Sequence, residues 1–97
     1  MRIISRRILR EFANRYSQAE HPLDQWYKYV QSANWRTPAD VKQSFRSADI
    51  LPGNRVVFNI CGNHYRLVVK VEYDPQIVYV RFIGTHADYD RIDATTI

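Results

Sequence analysis

Residues 59–90, NICGNHYRLVVKVEYDPQIVYVRFIGTHADYD, constrain the fold more than any other part of the chain. Cys61-Gly62-Asn63-His64 sets Gly-Asn between two runs rich in β-branched and aromatic residues, the pattern of a two-residue hairpin loop. That loop predicts a register: Asn59 faces Arg66, Val57 faces Val68 and Arg55 faces Lys70, while Ile60 with Tyr65, Phe58 with Leu67 and Val56 with Val69 share the other face. A slip of one residue would mix the two faces, so their clean segregation supports the register as well as the hairpin.

The next turn, around Asp74-Pro75-Gln76, must keep Val69, Val71 and Tyr73 on one face with Val78, Val80 and Phe82. A loop of Pro75-Gln76 does so, setting Lys70 opposite Arg81 and pointing Arg66 at Thr85. Arg55, Lys70 and Arg81 then form a row of three cations on adjacent strands, with Arg66 nearby. Like charges directly across a sheet destabilise it by roughly 0.2 to 1 kcal/mol per pair. The row is therefore either a wet polar face or a surface built for an anion. Beyond the third strand, Thr85 is an N-cap with Asp88 at the third helical position, a variant of the capping box that starts a short helix. His86 and Asp90 fall one turn apart with Tyr89 beside them, either a surface capping turn or an imidazole whose proton transfer a carboxylate supports.

The chain as a whole supplies the rest of the layer. Ninety-seven residues make one domain, residues 1–97, burying about 60 to 65% of its unfolded surface in a single core. Net charge is +4, with the basic residues concentrated in the first 70: 12 Lys or Arg against 5 acids there, and 2 against 5 in residues 71–97. A local basic surface favours nucleic acid or another polyanion. A lone cysteine, Cys61, excludes an internal disulfide and suits a reducing cytoplasm. His21, His64 and His86 are too scattered for zinc-like spacing, and no apolar run approaches the roughly 18 residues of a membrane span. The expectation is a soluble cytoplasmic protein with no metal and no cofactor.

Residues 1–4 predict an opening strand, and Ser5 caps a helix over about 6–16 with Ile8, Leu9, Phe12, Ala13 and Tyr16 on one stripe. Its other side carries Arg6, Arg7, Arg10, Asn14 and Arg15, a solvated face or a contact with RNA phosphates. Pro22 opens a second helix with Leu23, Trp26, Tyr27 and Val30 at helical spacing, and Thr37-Pro38-Ala39-Asp40 opens a short third. Residues 48–54 read as a loop, and the tail after Ile92 has no clear structural signal. The order β-α-α-α-β-β-β plus a C-terminal helical turn is an α+β fold: helices cover the Val and Phe face of an antiparallel twisted sheet, and the cationic face stays open.

The segments FNICGNHYRLVVKVEY and YVRFIGTHADYDRID, with VKQSFRSADILPGNRVVFNI before them, resemble the HigB toxin family within the RelE-like group of bacterial toxin-antitoxin modules. The likeness covers roughly residues 35–93 and extends more loosely to the N-terminus. It implies a RelE-like fold and a metal-independent mRNA endonuclease acting on translating ribosomes, silenced by a HigA-type helix-turn-helix antitoxin. In such enzymes the ribose 2′-hydroxyl attacks the adjacent phosphate, which calls for a base, cations around the phosphate and an acid for the leaving 5′-oxygen. Arg66, Lys70 and Arg81 are the candidates for the phosphate, His86 for proton transfer, and Tyr89 for stacking on a base or donating a hydrogen bond. Asn59 and Asn63 would position RNA, with Arg55, His64 and Asp90 as further RNA-binding residues. The alternative is a module that binds RNA or the ribosome through the same face without cutting.

Overall fold

A computed structural model describes residues 1–97. The sheet has five strands in the order β1-β5-β4-β3-β2: β1 (Arg2–Ile4), β2 (Asp49–Leu51), β3 (Arg55–Ile60), β4 (Tyr65–Glu72) and β5 (Ile77–Thr85). The helices α1 (Arg6–Arg15), α2 (Glu20–Ser32) and α3 (Pro38–Ser44) follow β1, and α4 (His86–Tyr89) follows β5. The fold class is α+β, as expected, but the sheet is mixed: β1 runs parallel to β5, and the other neighbours are antiparallel. The long helical crossover between β1 and the hairpins lets the first strand join the far edge in the parallel sense.

The β3–β4 register is the predicted one at all positions, from Arg55 opposite Lys70 to Ile60 opposite Tyr65. The turn between them is bonded from the His64 amide to the Cys61 carbonyl. Its left-handed residues are Cys61 and Gly62, at φ +55° and +63°, one position earlier than the Gly-Asn pattern implies. Alternation from this hairpin builds the core. Phe58 packs edge-on against Trp26 of α2 and Phe45 after α3, and stacks with Trp35, at centroid distances of 5.5, 5.0 and 6.2 Å. Leu9 and Phe12 of α1 and Leu23, Trp26 and Val30 of α2 are buried on it, the stripes that the spacing predicted. On α3, Thr37 and Asp40 form a reciprocal capping box with Pro38 in the first turn, satisfying two otherwise orphaned amides.

The β4–β5 register departs from the expectation. The connection is the four-residue turn 73–76, with Gln76 at φ +61°, so Lys70 lies opposite Tyr79 and not Arg81. An irregularity between Val68 and Val69 then leaves Arg81 as an extra residue on β5, and beyond it Arg66 pairs with Gly84 rather than pointing at Thr85. The bulge inverts the alternation. Val78 and Val80 face the main core, Phe82 turns to the opposite face, and Ile83 returns to the core.

That opposite face is not open at its centre. Val57 and Val68 have no exposed surface, because Phe82, Tyr89 and the segment after α4 pack on them. Ala94 is buried there, and Ile92 and Ile97 pack beside it, so the tail is docked rather than loose. The Asp93 side chain accepts from the Thr95 amide (3.0 Å) and hydroxyl (2.6 Å), closing a turn. Arg55 holds its end, donating through Nε and Nη2 to the Ile97 carbonyl at 3.0 and 2.5 Å. Residues 49–51, read from sequence as loop, form β2 because Pro52-Gly53-Asn54 turns the chain back, with Gly53 and Asn54 at φ +74° and +61°. No helix is long and apolar enough to cross a membrane.

Candidate active site

Arg66 is the organising side chain of the second face. Alternation on β4 points it away from the core beside Val68, and its side chain is only 15% exposed. Nη1 donates to Asn59 Oδ1 at 2.6 Å, a cross-strand bond that follows from the predicted pairing of these residues. Nη2 donates to Asp49 Oδ2 at 3.3 Å. The guanidinium lies over the Tyr89 ring, 4.6 Å from its centroid, a cation–π contact worth about 0.5 to 2 kcal/mol between the exposed and desolvated limits. Nε is buried without a partner. Two acceptors and an aromatic face fix the plane of this cation, so it is a rigid donor rather than a mobile surface charge.

Helix α4 brings Tyr89 to this position. The Thr85 hydroxyl accepts from the Asp88 amide, as the capping pattern implied, and α4 begins directly after the Arg66–Gly84 pair. Gly84 is needed there because a Cβ would lie 2.5 Å from Phe82 Cζ and 3.2 Å from Asp88 Cβ. His86 opens α4 and is exposed; Asp90 is exposed one turn later. The expected side-chain pairing of these two is absent, and the bond joining them runs from the Asp90 amide to the His86 carbonyl.

The structure thus gathers Asn59, Arg66 and Tyr89, and sets His86 at the start of the short helix that carries Tyr89, with Asp90 capping its end. It does not form the row of three cations. Arg55 donates to Gly53 and Ile97 carbonyls, Lys70 pairs with Glu72 at 3.2 Å, and the bulge displaces Arg81, which is exposed and makes no ion pair. The four-residue turn before β5 causes the loss, since it moves Arg81 away from Lys70 along the strand. Asn63 and His64 are exposed in the β3–β4 turn, the His64 and Tyr65 rings edge-to-face with centroids 6.1 Å apart.

Sequence reasoning missed Asp49. It reaches Arg66 because β2 pairs Asp49 with Val57, putting the carboxylate on the face that carries Asn59 and Arg66. The available signal was Pro52-Gly53-Asn54, a turn sequence that, taken as a hairpin, fixes that register. No group of three or more His, Cys, Asp or Glu side chains is assembled.

Comparison with known proteins bears on what this constellation serves. Over 96 residues the chain is 29% identical to the mRNA interferase toxin HigB of Escherichia coli K12, an alignment covering 97% of this chain and 92% of that protein. The mRNA interferase HigB of Shigella flexneri shows the same identity and coverage. A further mRNA interferase HigB, from Escherichia coli O6:H1, is 24% identical over 94 residues, 95% of this chain and 91% of the relative. The model of HigB_toxin, described as the RelE-like toxic component of a toxin-antitoxin system, matches residues 19–92. With three quarters of its length matched, the chain belongs to the HigB toxin family.

Proposed function

We propose that this protein is an mRNA interferase toxin: an endoribonuclease that cuts mRNA on translating ribosomes, stops translation, and is silenced by a HigA-type helix-turn-helix antitoxin. The observation that carries the reading is the fixed guanidinium of Arg66, held between Asn59, Asp49 and the Tyr89 ring, in a chain whose relatives are named mRNA interferases.

The chemistry is transfer of the phosphate from the 5′-oxygen of the next nucleotide to the neighbouring 2′-oxygen. The 2′-oxygen forms a bond to phosphorus, the bond to the 5′-oxygen breaks, and the products are a cyclic phosphate and a free 5′-hydroxyl. A base accepts the 2′-hydroxyl proton and an acid returns one to the leaving oxygen. Arg66 stabilises the charge that grows on the phosphoryl oxygens, and its fixed plane removes the cost of reorienting a donor during the reaction. His86, exposed at the start of α4, transfers a proton. Tyr89 presents its ring to a base or its hydroxyl to the phosphate, and Asn59 keeps Arg66 in register. Lys70 and Arg81 add positive field along the strands, while Asn63, His64 and Asp90 contact RNA nearby. As the resemblance implies, these side chains act without a metal; the basic face of α1, through its charge, meets ribosomal RNA.

Induced expression, with primer extension on a reporter mRNA, tests the reading. The unaltered chain is expected to arrest growth and leave discrete cuts within translated codons. Arg66→Ala should lower the cleavage rate about 10²- to 10³-fold and His86→Ala about 10²- to 10⁴-fold, each in a folded protein. Growth arrest without cuts would show a binding module in place of an enzyme.

A further inference from the structure

We propose that Asp49 is a positioning residue of the nuclease: its carboxylate fixes the guanidinium plane of Arg66 so that the remaining N–H groups face the phosphate. This rests on the endonuclease reading above. A guanidinium carries five N–H donors in one plane. Asn59 takes one on Nη1, Asp49 takes one on Nη2, and Nε is buried with no partner. One N–H on each terminal nitrogen remains, enough to reach two phosphate oxygens. Asn59 alone would leave the plane free to pivot about a single bond; a second acceptor on the other terminal nitrogen, with the Tyr89 ring 4.6 Å below, removes that freedom.

Asp49 is itself half exposed, and a carboxylate on a surface loop would hold nothing in place. The backbone beneath it is fixed from two sides. Asp49 pairs with Val57, a residue with no exposed surface. The carbonyl of the preceding residue, Ala48, also fully buried, accepts from Lys42 Nζ at 2.7 Å, and the same ammonium binds the Arg46 carbonyl at 2.7 Å. The three-residue strand β2 is thus tied to α3 at the point where it presents its acid to Arg66. The Asp49 side chain stays half in water, which screens the pair, and the consequence expected of it lies in the reaction rate.

The test is cleavage kinetics of ribosome-bound mRNA by the full chain carrying Asp49→Ala, Asp49→Asn, Arg66→Ala and Asp49→Ala/Arg66→Ala, with thermal unfolding of each. Asp49→Ala is expected to lower kcat roughly 10- to 100-fold with KM changed less than about threefold, as misplacement of a reacting group does. Asp49→Asn, which keeps an oxygen acceptor, should recover kcat to within about threefold of the unaltered chain. The double variant should be no slower than Arg66→Ala, because Asp49 acts through Arg66. An inactive Arg66→Ala beside a fully active Asp49→Ala would overturn the positioning role and leave the endonuclease standing. A rise in rate in both Asp49 variants would make the carboxylate a competitor for the phosphate, and also overturns it. Full activity in Arg66→Ala sinks this inference and the assignment of the site together. Should Asp49→Ala fail to fold, Asp49→Val, which suits an exposed strand position and carries no acceptor, takes its place with the same expected loss of kcat, and full activity in it overturns the positioning role.

Discussion

At the scale of single residues, what matters is the difference between a cation on a surface and a cation held in a plane. Lys70 and Arg81 are of the first kind; Arg66 is of the second. Lysine at position 66 would keep the charge but lose the planar fork that reaches Asn59 and Asp49 together and stacks on Tyr89. Arg66→Lys is therefore expected to fold and to cut RNA about 10- to 100-fold more slowly, a result that single-turnover cleavage would read directly. Gly84 is the other residue without a substitute. Because a Cβ would meet the Phe82 ring at 2.5 Å, Gly84→Ala should cost about 1 to 3 kcal/mol, as overpacking typically does, measured by urea unfolding. The Asn59–Arg66 pair was legible in the sequence because a short hairpin turn fixes cross-strand neighbours locally. The partnership with Asp49 was not, since it joins residues 17 positions apart through a three-residue strand too short to show alternation.

At the scale of elements, the segment after α4 changes the meaning of the polar face. Arg55, expected among the RNA-binding residues, holds that segment through the Ile97 carbonyl. Arg55→Ala should release the segment and destabilise the fold by up to about 3 kcal/mol, the upper range for hydrogen bonds to a charged group. RNA cleavage should stay within about threefold of the unaltered rate if Arg55 serves only this anchor. Acid should loosen the same segment. Bonds from the Thr95 side chain and backbone lower the pKa of Asp93 below its ordinary value of 3.8. The group is therefore ionised more readily in the docked state, and its contribution is fully present above the ordinary value and lost as pH falls through the lowered one. Amide exchange and methyl NMR signals of Ala94 and Ile97 should show undocking in that acid window before the main core melts.

At the scale of the whole molecule, one sheet separates two packing problems. On the helical side Phe58 meets three aromatic rings, and Phe58→Ala should cost about 3 to 5 kcal/mol, a large share of the stability expected of a domain this size. Chemical denaturation should show the full loss without a change of fold in the residual native state. On the other side a small apolar patch supports the plate on which Arg66 and Tyr89 sit. The site is thus mounted on a strand whose reverse face is core, an arrangement that keeps a catalytic geometry rigid.

What depends on neighbours in the chain was readable in advance: the helical stripes, the N-caps at Thr37 and Thr85, the β3–β4 register, and with it the meeting of Asn59 and Arg66. Local sterics and a period of 2 or 3.6 are sufficient for these, because each is settled within about ten residues. Tertiary structure decided the rest. The length of the turn at 73–76 and the bulge at Arg81 are set by which residues of β5 can fill the two faces, a competition between Phe82 and Ile83 that alternation cannot resolve. The parallel pairing of β1, the docking of the C-terminal segment and the reach of Asp49 to Arg66 are matches between surfaces distant in sequence. Their free energy arises only when the sheet has already formed, so no local pattern records the first two, and the Pro52-Gly53-Asn54 turn records only the register of β2 on which the third builds.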